Sequence, residues 1–453
     1  MRISTFHLLV CIFYCVVPEL ADAQSPLPKN PQVEAILREI SEANLRRSVE
    51  TLVGFGTRHS LSDTVSATRG IGAARRWIKA DFERYAQQAH GRMDVAYDDA
   101  IVPPSTRVPH PLRIVNVIAT LHPISPVDSM RVLIVSAHYD SRAGNPLDSV
   151  GAAPGADDDA SGVAIVLELA RVLSTRNVAT AIKFVAFAGE EQGLLGSTSL
   201  AERAKQERWN VAGVFNNDIV GGSVGGDGAR ETNAVRVFSE AYAPADSGEP
   251  FRRRNMLGLE NDGPSRSLAR YVRMTGETYL PSFHVRTIYR RDRFLRGGDH
   301  SPFHERGFAA VRFTEAKENF AHQHQDVRSA NDTSYGDLTA FMDFAYCASI
   351  ARANAAALAT LAFAPFAPAR ATIVTRNLEY GSTFRWTRSK SPSASGYRVW
   401  CRETDAPAWQ KFTFTADTSI TLPISKDDFI FGIQSADSAG NGSMIVTPLP
   451  GRD

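Results

Sequence analysis

The stretch GADDDASGVAIVLELARVL, residues 155–173, places three consecutive aspartates directly before a long apolar run. The run has helical spacing, so the aspartates lie just ahead of a predicted helix N-terminus. Upstream, RVLIVSAHYDS (131–141) has the pattern of a short buried strand that ends near His138 and Asp140. The triplet alone fits a solvated turn, because Asp and Gly are ordinary turn residues. A strand, a histidine, an acidic loop and a helix in succession favour a metal site.

The composition argues against partners that are bound through bulk charge. The chain has 453 residues, enough for about two or three domains, and its 50 basic and 49 acidic residues give a net charge of +1. This balance indicates no surface for nucleic acid or an anionic membrane. Cys347 and Cys401 lack the CxxC spacing of a thiolate metal site, which favours two buried thiols, although pairing in an oxidising compartment stays open.

The N-terminus predicts a secretory signal. Residues 1–23 combine Arg2, the apolar run HLLVCIFYCVV and the small-x-small end ADA, the pattern of a signal peptide cleaved after Ala23. The apolar run is too short to span a membrane, and no later segment approaches transmembrane length. We therefore expect a secreted or periplasmic protein without stable membrane insertion.

The pattern along the mature chain predicts an α/β fold. Residues 24 to about 100 are mainly helical in pattern, and from RIVNVIATL (113–121) onward short Val/Ile/Phe-rich segments alternate with helical stretches. This alternation is typical of a mixed, mostly parallel sheet flanked by helices on both faces. We assign this domain to residues 24–362.

A second, smaller unit follows a Pro/Ala linker at residues 363–371. Residues 372–453 contain seven short alternating segments, which indicate an all-β sandwich. Trp386, GYRVWCRE (396–403) and FIFGIQSADSAGNGS (429–443) resemble a fibronectin type III domain. The resemblance implies an accessory role and leaves open a contact with a surface, a carbohydrate or a protein.

Carboxylate and imidazole side chains follow the predicted strands of the first domain. In an open α/β sheet the ligand crevice lies at the carboxyl ends of the strands, so these side chains should converge there. Buried carboxylates need cations or proton partners, which favours a metal site over separate structural roles. The candidate residues are His138, Asp158, Glu190, Glu191 and Asp218.

The histidine-rich loop ENFAHQHQD (318–326) is expected to supply one more ligand. His322 and His324 are two residues apart, so an extended loop would project both in the same direction. Asp326 could orient one of them as a hydrogen-bonded carboxylate. The spacing alone leaves both histidines open, and an exposed surface pair is the alternative.

In order and spacing, HYDS, GADDDASG, FVAFAGEEQGLLGS, NND, GGDHSPF and the histidine loop resemble the co-catalytic zinc aminopeptidases of clan MH, relatives of bacterial leucyl aminopeptidase and of the glutamate carboxypeptidases. The resemblance implies two zinc ions per chain, although cobalt or manganese would fit the same donors. It assigns Asp158 as the bridging ligand, His138 and Asp218 to one ion, and Glu191 and His322 to the other.

The resemblance also implies roles next to the metal ions. Glu190 matches the general base, which takes a proton from the water between the two zinc ions and passes it to the leaving amine. Asp140 is placed to hydrogen-bond the imidazole of His138 and fix its tautomer. The family carries a cis peptide directly after its bridging aspartate, here Asp158–Asp159.

These residues together predict a secreted or periplasmic dizinc metallopeptidase, most simply an aminopeptidase that removes N-terminal residues from peptide or protein substrates. Carboxypeptidase action remains an alternative on the same scaffold. So does cyclisation of N-terminal glutamine, as in single-zinc relatives, although the five-ligand set argues against it. A catalytically silent binding protein is the alternative from another class, and the intact ligands and base argue against it.

Overall fold

The structure of the protein, a computed structural model, describes residues 27–124, 131–243, 247–376 and 379–451. The predicted signal at residues 1–23 lies outside these ranges. Among the described residues, no helix combines the length and the apolar character needed to cross a membrane.

The N-terminal segment is helical, as its periodicity predicts, but it ends in a strand. Helices α1 (Pro31–Glu39), α2 (Glu42–Gly54) and α3 (Gly70–Gln88) are followed by strand β1 (Met93–Val102). The expectation of a mainly helical region up to about residue 100 is therefore wrong for β1. This strand is an edge strand with mostly exposed or half-buried residues, so it lacks the apolar run that marks a buried strand.

An eight-stranded mixed sheet forms the centre of the first domain. Its remaining strands are β2 (Leu112–Leu121), β3 (Arg131–His138), β4 (Ala181–Phe187), β5 (Asn210–Asn217), β6 (Ala234–Phe238), β7 (His284–Ile288) and β8 (Ala310–Glu315). The strand order is β1-β2-β4-β3-β5-β8-β6-β7. Four neighbouring pairs, β3/β4, β3/β5, β5/β8 and β6/β7, are parallel. The predicted mixed, mostly parallel sheet is confirmed.

Helices cover both faces of this sheet. The helices that follow α3 are α4 (Gly162–Leu173), α5 (Leu195–Gln206), α6 (Gly248–Met256), α7 (Pro264–Tyr279), α8 (Ser301–Glu305) and α9 (Phe344–Phe363). Leu133 and Val135 of β3 join the cluster of α4 and α9, whereas Val132 and Ile134 join the cluster of α5 and α8. Alternate residues of a strand face opposite sides of the sheet, so β3 is apolar on both. The end of such a strand is held firmly from two directions.

The C-terminal region consists of two small sheets, preceded by a short hairpin of β9 (Arg328–Ala330) and β10 (Thr333–Tyr335) in the first domain. The strands are β11 (Ala369–Val374), β12 (Ser382–Thr387), β13 (Ala394–Glu403), β14 (Lys411–Thr415), β15 (Ser419–Leu422), β16 (Phe429–Asp437) and β17 (Leu449–Gly451). The sheets β15-β12-β11-β17 and β14-β13-β16 share one hydrophobic cluster, which includes Phe384 and Phe431. Cys347 and Cys401 are buried and free, as expected.

A buried ionic cluster joins the two regions. Asp262, just before α7, lies 3.1 Å from Arg270 of α7 and 2.7 Å from Arg402 of β13. All three side chains are almost fully buried. The hydroxyl of Tyr271 also donates to the carbonyl of Gly442 at 2.7 Å. The β-sandwich therefore packs on α7 through polar contacts that exclude water.

We expect Asp262→Asn to destabilise the protein strongly. The substitution leaves two buried guanidinium groups, those of Arg270 and Arg402, without a counter-charge, and breaking a buried pair costs about 3–5 kcal/mol. Urea unfolding of the whole chain measures this loss. Asp405→Asn in an exposed loop of the same sandwich is the control and should change stability by less than about 0.5 kcal/mol. Equal stability of the two variants would contradict the role of the cluster.

Candidate metal centre

The polar residues predicted to converge lie at the carboxyl ends of three adjacent strands. His138 is the last residue of β3, Glu190 and Glu191 follow β4, and Asp218 follows β5. These strands are neighbours in the order β4-β3-β5 and run parallel. Asp158 reaches the same edge from the loop before α4. The sheet thus delivers all five side chains to one cleft.

Two groups of nitrogen and oxygen donors share Asp158. In the first, Nε2 of His138 lies 3.1 Å from Oδ1 of Asp158 and 3.9 Å from Asp218. In the second, Nε2 of His324 lies 3.0 Å from Oδ2 of Asp158 and 3.0 Å from Glu191. The donor atoms within each group lie within 4.8 Å of one another. Each carboxylate oxygen of Asp158 therefore faces a different group.

The histidine at the second group is His324, not His322 as the resemblance implied. His322 stacks on the ring of Phe341 at 3.6 Å between centroids and lines a separate cavity. The prediction assumed an extended loop, in which both side chains would project alike. The backbone instead turns through residues 319–322, and His324 has a left-handed φ of 50°. The two imidazoles consequently point to different sides of the loop.

We expect His324→Ala to lose about one bound metal ion per chain, while His322→Ala keeps its metal. Mutation of a residue that only hydrogen-bonds a metal ligand typically lowers metal affinity by about 10- to 100-fold. Loss of a ligand itself should lower the affinity at least as much. Elemental analysis of the two purified variants compares them directly. Loss of metal from His322→Ala alone would reinstate the first assignment.

Asp140 supports the site differently from the expected carboxylate-to-imidazole bond. Its backbone carbonyl lies 3.1 Å from Nδ1 of His138, whereas its carboxylate is 3.6 Å from that atom. The carboxylate accepts hydrogen bonds from the backbone N–H groups of Glu190 at 3.3 Å and Glu191 at 3.2 Å. Asp140 thus ties the end of β3 to the turn that carries both glutamates.

Buried polar groups hold the acidic loop, which contains the three aspartates 157–159, through hydrogen bonds to its backbone. The guanidinium of Arg58 donates to the carbonyls of Tyr139 at 2.8 Å and Gly155 at 2.8 Å. The carboxylate of Asp337 accepts the N–H groups of Asp157 at 2.8 Å and Asp158 at 2.7 Å. Asp159 accepts the N–H of His138 at 3.1 Å. The bond between Asp158 and Asp159 is cis, which matches the sequence-based expectation.

Gly155 permits this close packing. Its φ is 54°, and a Cβ there would lie 2.5 Å from Cβ of Ser141 and 2.6 Å from the carbonyl oxygen of Asp158. Such contacts are shorter than van der Waals distances, so a larger residue would push the aspartate loop away from β3.

The electrostatics of the cluster fit a cation. Burial opposes the charged form of Asp158, but hydrogen bonds from His138 and His324 outweigh it and hold the pKa of Asp158 well below its usual value. Burial likewise opposes the imidazolium of His324, yet the Glu191 charge and hydrogen bonds to both carboxylates raise its pKa to about 10. Protons on the imidazoles thus balance the carboxylates, and a metal ion would displace them.

The donor set fits zinc. It contains imidazole nitrogen and carboxylate oxygen without thiolate, which suits zinc and also cobalt or manganese. Arginines hold two of the carboxylates from outside, since Arg312 lies 2.8 Å from Asp218 and Arg142 lies 3.2 Å from Glu191. The orientation of both carboxylates is therefore set by the chain itself.

Glu190 lies in the same cleft but belongs to neither donor group. Burial is the main cause that raises the pKa of its carboxyl well above the usual value. The neighbouring charges of Glu191 and Asp218 raise this pKa further, while His138 opposes them. A carboxyl group with a raised pKa beside a metal centre suits proton transfer.

Sequence reasoning missed several residues that build the site. Arg312 had a signal, because it is a charged residue inside the apolar segment AAVRFTE (309–315), which contains β8. Arg58 and Asp337 lie in turn-rich segments far from the motifs, and their roles arise only from tertiary contacts. Asp326 was expected to orient a histidine, but its carboxylate accepts the N–H of Gly144 at 3.1 Å.

Comparisons with known proteins agree with this geometry. A family model described as Peptidase family M28 matches residues 116–346. A probable zinc metalloprotease of Leptosphaeria maculans is 43% identical over 427 residues, which covers 94% of this chain and 98% of that protein. A probable zinc metalloprotease of Pyricularia oryzae is 43% identical over 442 residues, which covers 96% of this chain and 87% of that protein.

Solved structures share the fold. The LapA aminopeptidase of Legionella pneumophila matches with a TM-score of 0.52 and 20% identity over 73% of this chain and 75% of that chain. LapB from the same organism matches with a TM-score of 0.51 and 20% identity over 76% of this chain and 78% of that chain.

Proposed function

The chain belongs to peptidase family M28 and is a zinc metallopeptidase, and on that premise we propose that it is an aminopeptidase with two zinc ions per chain. The observation that carries the two-ion proposal is the position of Asp158. Its two carboxylate oxygens lie 3.1 Å from His138 and 3.0 Å from His324, in separate donor groups. One carboxylate that serves two groups is suited to bridge a pair of metal ions.

The proposed ligands divide between the two ions. His138 and Asp218 would bind one, Glu191 and His324 would bind the other, and Asp158 would serve both. When bound, zinc would supply a Lewis acid that polarises the scissile carbonyl and lowers the pKa of water. The arginines behind Asp218 and Glu191 keep those carboxylates aimed at the ions.

Glu190 is the proposed general base. It accepts a proton from the attacking water and returns it to the leaving amine. Asp140 positions Glu190, because its carboxylate accepts hydrogen bonds from the backbone N–H groups of both Glu190 and Glu191. Glu190 and Glu191 can thus be adjacent in sequence and still have different tasks.

The aminopeptidase specificity and the export of the protein rest on weaker support. LapA, whose fold this chain shares, is an aminopeptidase. The positive start, apolar middle and small-residue end of residues 1–23 support secretion or periplasmic export, with cleavage after Ala23. The C-terminal sandwich is proposed as a fibronectin type III-like accessory domain.

We expect the mature protein to shorten peptides stepwise from free N-termini. A mixture of peptides with free and acetylated N-termini, followed by mass spectrometry, tests this directly. A chelator should stop the reaction and added zinc should restore it, because the cleft binds the catalytic ions. The acetylated peptides in the same tube are the internal control.

Other products would redirect the assignment. Stepwise loss from C-termini would make the protein a carboxypeptidase, and loss of ammonia from N-terminal glutamine would make it a cyclase. An unchanged mixture across a broad peptide set would contradict the aminopeptidase proposal and favour a binding protein.

A further inference from the structure

The cleft that contains the donor groups is rich in arginine. It encloses about 390 Å³. Its carboxylates are those of the metal groups and Glu190, whereas the remaining lining is dominated by arginine. The four arginines that line it are Arg107, Arg142, Arg293 and Arg296.

Two of these arginines already have carboxylate partners. Arg142 lies 3.2 Å from Glu191, and Arg293 lies 3.0 Å from Glu318. Their charges are therefore balanced by the protein, and their geometry is fixed by the pairs.

The other two arginines have no ion pair within the described ranges. Nη1 of Arg107 donates to the backbone carbonyl of Glu191 at 2.8 Å, which leaves its charge uncompensated. The guanidinium carbon of Arg296 lies over the ring of Phe320, 6.0 Å from the ring centroid. Arg107 comes from the connection between β1 and β2, and Arg296 from the connection between β7 and α8. Both side chains are partly solvent-exposed at the cleft and can still form new contacts.

The charge balance of the cleft favours an anionic ligand. Four arginines and four carboxylates, those of Asp158, Glu190, Glu191 and Asp218, line the cleft, and one of the arginines, Arg293, is paired with Glu318 outside the lining. Two zinc ions, as in the proposed function, would make the occupied cleft strongly positive. Apart from the donor groups and Glu190, every charged side chain that lines the cleft is an arginine, and charges of one sign concentrate ligands of the other sign.

We propose that Arg107 and Arg296 bind a carboxylate of the substrate near the scissile bond, so that the protein prefers peptides that carry a free carboxylate at that position. A guanidinium group binds a carboxylate with two parallel hydrogen bonds, which sets both affinity and orientation. The proposal rests on the peptidase function. The carboxylate is either the side chain of Asp or Glu or the C-terminal carboxylate of a short peptide, and the same chemistry recognises both.

Matched peptides separate these sources. C-terminally amidated tripeptides with Glu or Gln at each position in turn test the side-chain carboxylate. Tripeptides of neutral residues with a free or an amidated C-terminus test the terminal carboxylate. We expect kcat/KM to be at least about tenfold higher for the charged member of one series, because a charge-assisted contact is worth about that factor.

Arg296→Gln and Arg107→Gln test the residues. Each substitution should reduce the charged-to-neutral ratio about threefold to tenfold, mainly through KM, because the contact is made in the bound ground state as well as the transition state. The double variant should bring the ratio close to one. Arg290→Gln is the control: Arg290 is also an exposed arginine over a phenylalanine ring, that of Phe294, but does not line the cleft.

The outcomes separate this inference from the proposed function. Wild-type protein that cleaves charged and neutral peptides equally well would overturn the carboxylate preference and leave the peptidase intact. A preference that survives in the double variant would overturn the assignment to these arginines. Failure to cleave any peptide would defeat the proposed function. Calorimetric binding of the same peptides to zinc-loaded Glu190→Gln protein would then still show whether the charged member of either series binds more tightly than its neutral partner, and equal binding in both series would overturn the inference.

Discussion

Glu190→Gln is expected to lower kcat by about 10³-fold, within the range of roughly 10²- to 10⁴-fold that positioned proton transfer contributes. Glutamine has nearly the shape of glutamate but cannot take up a proton at neutral pH. The metal content should stay at the wild-type value, since Glu190 belongs to neither donor group. Its backbone N–H still meets the carboxylate of Asp140, so the turn after β4 keeps its conformation.

Steady-state kinetics together with elemental analysis check both halves of this expectation. Glu202→Gln is the matched control, because Glu202 lies on exposed α5 surface and pairs with Arg306 at 2.7 Å. It should change neither kcat nor metal content. Full activity of Glu190→Gln would remove this residue as the base. Loss of zinc from the variant would show instead that Glu190 acts as a ligand.

The general position of the site could be predicted because strand ends are visible in the sequence. Apolar runs such as VLIVSA (132–137) and IKFVAFA (182–188) mark buried strands. In parallel strands the carboxyl ends share an edge. His138, Glu190 and Asp218 therefore had to converge once the strands were neighbours. The local pattern carried this information without any tertiary contact.

The identity of the second histidine could not be read from spacing. The choice between His322 and His324 depends on the backbone of the loop, and the left-handed φ of 50° at His324 is not signalled by its neighbours. His322 is removed from the cleft by stacking on Phe341, a residue 19 positions later. Long-range packing of this kind has no periodic signature.

The residues that hold the acidic loop in place could not be predicted from sequence patterns either. Arg58 binds the carbonyls of Tyr139 and Gly155, which precede the three aspartates, across 81 and 97 residues of chain. Asp337 reaches the same loop across about 180 residues. Nothing in GFGTRHS (54–60) or SYGD (334–337) distinguishes these residues from ordinary turn residues, which are expected to be exposed to solvent.

Asp158→Asn is expected to remove both metal ions and all activity. Its carboxylate is the one donor common to the two groups, and an amide supplies neither the negative charge nor a second anionic oxygen. Each site would be left with only two of its protein ligands. The surviving imidazoles would be protonated less readily, because hydrogen bonds to the Asp158 carboxylate help to raise the pKa of His324 to about 10.

The adjacent Asp157→Asn gives a chemically identical control one residue away. The carboxyl of Asp157 accepts the N–H of Gly221 at 2.7 Å and belongs to neither donor group. Burial raises its pKa to about 6, so this position tolerates a neutral side chain at a lower cost than an ordinary aspartate would. Elemental analysis should therefore find zinc in Asp157→Asn and none in Asp158→Asn, with circular dichroism to verify that both are folded. Equal zinc content in the two variants would show that Asp158 does not bridge the two metal ions. Its contacts with the two histidines would then contribute no more to zinc binding than the presence of Asp157 in the same loop.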